Sequence, residues 1–425
     1  MSVLCAVIAT AVMIAGTGCA APTPILKADD TPMRNVRTGQ ATALAAVVAA
    51  TREAGVHLIA AGDPAANVVV SPSSLVVALS MLADGAAGQT LTELEMAVGA
   101  AGSERLDAMA ALRGVLTPLD GNPGTAVKEL PDQPLVHLAT QVVVDDQFTA
   151  NPDYLRALAE GYGTGVLSVD LGSASGMRQL DAWVKEHSGG LVTESALEPS
   201  DIARLALQDA ITLAARWESP FNAAFTRSGP FTLATGSPVS VDTMRQWVWG
   251  AFAEVDGWRA FRLPYNGGDL SAQFILPPDG IDPGEMTADM AGRISAALVS
   301  STQDVQVDLS VPQMNLRPEP LDILPALRGL GVDVVLDAAR ADLSRTGTSD
   351  DGENTYLGQG VQQAVLMVDE EGTRAAAVTE MLAEAGAAPE EPDVTLHLDR
   401  PFAMIIEHEV TGWPLFHAVI RDPRG

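Results

Sequence analysis

The sequence predicts one α+β domain, and three observations carry that prediction. Apolar residues at helical spacing and strand-like apolar runs mix irregularly from about residue 38 to the last residue. No linker composition divides that stretch, and no self-similarity appears at a period of about 20–50 residues. Of the 425 residues 47% are hydrophobic, enough to bury a large core, which excludes wholesale disorder.

The elements follow in order. Residues 42–58 carry apolar side chains at helical spacing, and residues 73–82 do so again after the strand-like run 67–70. Between them Ser71 and Pro72 supply a cap and a first-turn proline. Residues 141–146, 271–276 and 305–311 read as strands, and 322–330 as a short helix closed by Gly331. A strand over 361–368 and two more over 403–406 and 415–420 complete the pattern, the last pair turning at Thr411 and Gly412. The polar run 346–354 and the run 383–393, with Pro389 and Pro392, read as loops.

The N-terminal region reads as an export segment. Residues 3–15 form an apolar run broken by Thr10, too short to span a bilayer and of signal-peptide length. The two cysteines, Cys5 and Cys19, both lie here, so no disulfide staples the domain. Small residues around Cys19 match a bacterial lipoprotein signal, in which that cysteine is lipidated. Gly16 stands where an aliphatic residue is usual, and no positive charge precedes Lys27, so an ordinary export signal and an apolar tail stay open. Residues 1–21 are read as the export segment and 22–37, rich in Pro, Thr and Asp, as a flexible tether. The domain is then 38–425, placed outside the cell or at its surface, with a membrane reached only through the lipid.

Charge and missing motifs narrow the function. Lys and Arg number 25 against 54 Asp and Glu, a formal net charge of -29, which disfavours nucleic acid and heparin-like polyanions as partners. The lysines are Lys27, Lys128 and Lys185, and this Arg- and Ala-rich usage is that of a GC-rich bacterium. No nucleophile elbow, P-loop, C-x-x-C or H-E-x-x-H motif occurs, so nothing argues for an enzyme or a cofactor. Glu407, His408 and Glu409 alternate faces in a strand and read as a solvated approach to a turn, not a metal site.

The informative stretch is residues 370–379, continuing to Pro389. At period two, Thr373, Ala375, Ala377, Thr379 and Met381 share a face that is small and uncharged at its leading end. Arg374, Ala376, Val378, Glu380 and Leu382 share the other. No Pro interrupts 373–388, so every N–H there is free to join a ladder. An Ala-rich helix followed by a loop is the other reading of these residues alone.

Glu370, Glu371, Gly372, Thr373, Ala375, Ala376, Ala377 and Thr379 resemble the reactive-loop hinge of the serpins, E-E-G-T-x-A-A-A-x-T. Further matches follow in order: 67–74, 78–82, 85–90, 148–154, 162–171, Trp183 with Val184, 216–221, Pro230 with Phe231, 263–265, 274–277, 307–312, 341–344, 400–402 and 414–416. The resemblance spans nearly all of residues 40–425. It implies three β-sheets, eight or nine helices, and an exposed reactive-centre loop at about 370–396. It also implies a monomeric suicide inhibitor of serine proteases, not an enzyme, with no cofactor or metal. The protease cuts the loop and is held as an acyl-enzyme while the cut strand inserts into the main sheet.

In inhibitory relatives the cut lies about 14 residues after the hinge glycine, which places it at Gly386 and Ala387. No Lys or Arg lies between Ala375 and Ala388, so an elastase- or subtilisin-like protease fits better than a trypsin-like one. A shifted register offers Glu384 or Leu382 instead. Ser71, Asp209, Trp217 and Gln362 fall where the family opens its main sheet. Asp209 replaces the usual Asn and Gln362 the usual His, and the expected repair is a Gln362 amide donating to the Asp209 carboxylate. His417 stands where Gly is common. A non-inhibitory serpin acting as a binding protein or a simple protease substrate is the first rival, and a hydrolase the second.

Overall fold

A computed structural model describes residues 25–28, 31–200, 203–301, 304–373 and 391–425. The chain begins with β1 (Ile25–Leu26), α1 (Leu44–Ala61), β2 (Val68–Val70), α2 (Pro72–Gly85), α3 (Gly88–Val98) and α4 (Gly102–Leu116). Next come α5 (Pro123–Ala126), β3 (Leu135–Asp145), β4 (Phe148–Ala150), α6 (Pro152–Tyr162), β5 (Val166–Val169) and α7 (Ala174–His187). A strand-rich middle holds β6 (Leu205–Arg216), β7 (Arg227–Thr232), β8 (Pro238–Gly250), β9 (Phe252–Val255), β10 (Trp258–Pro264) and β11 (Leu270–Leu276). There follow α8 (Ala288–Ser300), β12 (Val305–Pro312), β13 (Met314–Leu316), β14 (Leu321–Asp322), α9 (Leu324–Gly329) and β15 (Gly347–Ser349). The last elements are β16 (Val361–Gln362), β17 (Leu366–Val368), β18 (Gly372–Thr373), β19 (Val394–His397), β20 (Phe402–His408) and β21 (Trp413–Ile420).

Local chemistry sets these boundaries. The Ser71 hydroxyl accepts from Ser74 N–H at 3.3 Å and Pro72 opens α2, as the sequence predicts. Every residue of α2 except Asp84 is buried, which marks a central core helix. Ser173 caps α7 by accepting from Gly176 N–H at 3.0 Å, and the chain leaves it through Gly189 and Gly190 at φ 64° and 85°, a left-handed exit open to glycine.

Among the described residues three sheets dominate. The main sheet runs β1-β5-β3-β6-β18-β17-β13, a second β2-β21-β20-β11-β10-β9, and a third β19-β12-β8-β7. Two small pairs, β14 with β16 and β4 with β15, complete the set. The largest core cluster joins α1, α2, the second sheet and one face of the main sheet. Trp217 belongs to it, stacked on Tyr265 with ring centroids 4.6 Å apart and planes 10° apart.

Several sequence readings need correction. The strand expected over 361–368 is two short pieces, because residues 363–365 between them have no strand partner. The loop over 346–354 includes β15, which pairs with β4. The described part of 22–37 is not a free tether. Ile25 and Leu26 pair with Leu167 and Val166 at the edge of the main sheet, and Arg34 bonds Asp107 at 2.7 Å and Glu160 O at 2.7 Å. Polar composition conceals two aliphatic residues that find an open strand edge. Glu407 and His408 are buried rather than solvated, Glu407 accepting from Gln273 and Ser295.

A buried ion pair ties α2 to α4. Arg105, 3% exposed, donates to Asp84 at 2.6 Å, to Ser80 O and Oγ at 2.6 and 2.7 Å, and to the Tyr162 hydroxyl. Burial pushes the Asp84 carboxyl up and Arg105 pulls it back. Arg105→Met therefore leaves a buried carboxyl unpaired, and the expected loss in urea unfolding is about 3–5 kcal/mol. A loss under about 1 kcal/mol would show that the pair is dispensable.

Candidate functional site

The site begins with a strand edge that lacks a partner over most of its length among the described residues. One edge of β6 pairs with β3 from Leu205 to Ala214. Among the described residues its other edge meets a strand only at its C-terminal end, where Ala215 and Arg216 pair with Thr373 and Gly372. Below that rung no backbone hydrogen bond joins β6 to residues 363–367 among the described residues. The slot between them is lined by Ala210, Ile211 and Leu213 on one side and Gln363, Val365 and Met367 on the other. Ile406 and Phe416 close one face, and Val184, Ser188, Leu191 and Val192, from α7 and its exit, the other. Its free volume is about 20 Å³, room for a water but not for a strand.

The head of the slot is already occupied. Gly372 and Thr373 form β18, wedged between β6 and β17. A Cβ on Gly372 would stand 2.0 Å from Ala215 O, so only glycine permits this approach. Thr373 is 3% exposed and its hydroxyl meets the Tyr265 hydroxyl at 2.6 Å, which agrees with the inward face read from the alternation. The two preceding carboxylates anchor the turn. Glu370 accepts from Thr226 at 2.5 Å and from Gln313 at 2.7 Å, and Glu371 pairs with Arg216 at 3.1 Å. Trp217 donates from its backbone to Glu371 O at 2.8 Å and from Nε1 to Asp369 O at 3.0 Å.

A second cluster sits six residues, roughly 20 Å, further along β6. The Gln362 side chain clamps Ser71, accepting from its N–H at 2.7 Å and donating to its C=O at 3.0 Å. Burial pushes the Asp209 carboxyl up to about 6, and hydrogen bonds from Ser74 and Gln362 hold it back. Gln362 therefore serves both Asp209 and the main chain at the start of α2, a second task the sequence does not reveal. The four sheet-opening residues form two groups: Trp217 with the hinge, and Ser71, Asp209 and Gln362 together. Ala375, Ala376, Ala377, Thr379, Gly386, Ala387 and Cys19 lie outside the described residues.

His417 gains an account here. It is buried, its Nε2 meets no partner, and burial pushes it down to about 4, so it stays a neutral, space-filling ring. Gly55 of α1 makes the room, since a Cβ there would stand 3.1 Å from the ring Nδ1.

Two outcomes follow from the mid-slot cluster. Gln362→Leu strands the Ser71 N–H in the core and leaves its C=O only the 3.4 Å bond from Leu75 N–H, and thermal unfolding at pH 7 is expected to show a loss of about 1–3 kcal/mol. An unchanged melting curve would remove the clamp from the account. Asp209 carries the opposite sign. Its folded-state value of about 6 lies above the ordinary 3.8, so the native form is favoured while the carboxyl is protonated and loses stability as pH rises from 3.8 through 6. Asp209→Asn is expected to stabilise the native form at pH 8 by up to about 3 kcal/mol and to have little effect below pH 4. Equal effects at both pH values would contradict the burial of this charge.

Comparison with known proteins agrees with this geometry. The family model described as Serpin (serine protease inhibitor) matches residues 56–423. The chain is 29% identical over 375 residues to leukocyte elastase inhibitor of Bos taurus, covering 85% of this chain and 94% of that protein. It is 25% identical over 369 residues to neuroserpin of Homo sapiens, covering 84% and 86%. Among solved structures, native tengpin, a thermophilic serpin, superposes with a TM-score of 0.76 at 23% identity, covering 95% of this chain and 100% of that one. Thyroxine-binding globulin in complex with thyroxine shares the fold with a TM-score of 0.72 at 20% identity, covering 90% and 99%. The chain, with its serpin fold and Gly372 seated against β6, belongs to the serpin family of serine protease inhibitors.

Proposed function

We propose that this serpin is a suicide inhibitor of a serine protease that cuts after small residues, with the cut between Gly386 and Ala387. The observation that carries the reading is the Gly372–Thr373 rung, seated at the head of a slot whose two sides lack strand partners among the described residues. The protease serine oxygen attacks the Gly386 carbonyl, the Ala387 amine leaves with a proton, and an ester joins the enzyme to Gly386. The new end then follows Thr373 into the slot as a strand between β6 and β17. Each backbone bond formed is worth about 1 kcal/mol net, so about a dozen residues gaining two neighbours release on the order of 10 kcal/mol. Trapping succeeds when insertion outruns hydrolysis of the ester.

Small residues at Ala383, Ala385, Gly386 and Ala387 support an elastase- or subtilisin-like target, and the similarity to leukocyte elastase inhibitor points the same way. Export, with Cys19 as the lipidated residue, belongs to the same proposal and rests on the apolar run before it.

The test mixes the protein with elastase, subtilisin, chymotrypsin and a glutamate-specific protease and resolves the products on denaturing gels. A band at the summed mass, with a released fragment beginning at Ala387, is the expected result. Clean cleavage with no such band would leave a substrate-like or non-inhibitory serpin. Thr373→Arg cannot enter the pocket beside Tyr265, so its expected behaviour is cleavage at the normal rate with little complex. Undiminished complex from that variant would show that the seated rung does not start insertion.

A further inference from the structure

The slot's cover is fastened by a chain of titratable groups. Asp120, in the loop after α4, contacts His137 Nδ1 at 2.7 Å, and His137 Nε2 contacts His187 Nδ1 at 2.8 Å. The two imidazole planes lie within 3° of each other, so the contact runs edge to edge through the ring nitrogens. His137 belongs to β3 and His187 is the last residue of α7. Trp183 packs against the His187 ring at 4.4 Å, and the Thr212 hydroxyl of β6 donates to His187 O at 3.1 Å. The last turn of α7 is thus fixed to β3 and β6 beside Val184 and Ser188, which cover the slot.

We propose that Asp120, His137 and His187 form an acid-released latch that holds the C-terminal turn of α7 over the slot at neutral pH and frees it under mild acid. Proton counting gives the reason. With both rings neutral, His137 Nδ1–H donates to the Asp120 carboxylate, and His187 Nδ1–H donates to the His137 Nε2 lone pair. One added proton leaves the contact intact, because a single hydrogen still lies between the two facing nitrogens while the other His137 nitrogen still faces Asp120. A second proton puts hydrogens on both facing nitrogens, and a 2.8 Å contact cannot hold them.

The surroundings set the direction. Burial and the neighbouring His137 hold His187 below its ordinary value of 6.5, while Glu186 on α7 and Asp120 pull the other way. From β6 the facing group is the uncharged Thr212, and α5, which packs on α7, has no titratable side chain. The closed latch prefers neutral His187, so its contribution is complete above about 6.5 and is lost as pH falls through that value toward the lowered one. Its consequence for inhibition, faster loop insertion in acid, rests on the insertion reading; the latch itself is measured without a protease.

Hydrogen exchange of the whole protein from pH 7.5 to 5.0, corrected for intrinsic chemical rates, reads the amides of residues 184–192. The wild type is expected to open severalfold more at pH 5.0 than at pH 7.5. His187→Gln removes the buried ring and is expected to give a pH-independent opening in this segment, while His137→Gln, which keeps that ring but loses the facing nitrogen, is expected to show a smaller acid rise than the wild type; exchange in β20 and β21 is expected to match across the three proteins at each pH. Either variant suffices if the other fails to fold. A flat wild-type profile, or the same acid rise in the variants, overturns the latch. A protein that shows the acid rise but forms no covalent complex with any protease keeps the latch and loses the inhibitor reading.

Discussion

The proposed inhibition depends on one strand edge that has no partner among the described residues. In a sheet interior the N–H and C=O groups of β6 should pair on both sides, yet beyond its last rung the edge facing residues 363–367 pairs with nothing among the described residues. A fold of this size has ample core to tolerate the deficit, because the largest apolar cluster draws on both large sheets and on α1 and α2. Among the described residues the missing ladder is therefore a local deficit, and in the proposed mechanism the strand that fills it begins at Gly372.

Three groups of residues control that edge, and each acts through different physics. At the head, Gly372 and Thr373 are admitted by size and held by Tyr265, while Glu370 and Glu371 fix the turn that delivers them. At mid-slot, Gln362 ties the strand before the gap to the cap of α2, so widening the slot must strain the core helix. Over the slot, α7 closes the third side through the His137–His187 contact. Asp209 works against the native form whenever it is ionised. Restraints and a destabilising charge on one strand are what a metastable sheet requires: barriers high enough to hold it, and a driving force once they yield.

The hinge is legible because its requirement is written in consecutive residues: small side chains at every second position and no proline. Asp209 and Gln362 are legible as neighbours because each departs from a familiar pair. Other parts are not legible. Tyr265 stands 108 positions before Thr373, and Asp120, His137 and His187 share no spacing, since the loop after α4, β3 and α7 bring them together only in three dimensions. Residues 361–368 read as one continuous strand because nothing in their propensity breaks it; the break at 363–365 reflects a missing neighbour. Residues 25–26 mislead for the converse reason, since polar company hides a pair that adds to a sheet edge.

The central claim is that the slot accepts the chain after Thr373 as a new strand. The most direct measurement is the thermal stability of the protein before and after a single cut in the loop at 383–388, made by a protease it does not trap. Insertion supplies both edges of the slot with backbone partners, so the account predicts that the cut form melts far above the intact one and resists urea that unfolds the intact form. A cut form that melts at the same temperature, or lower, would mean that the loop stays out and that the open edge of β6 is not the seat of an inserting strand.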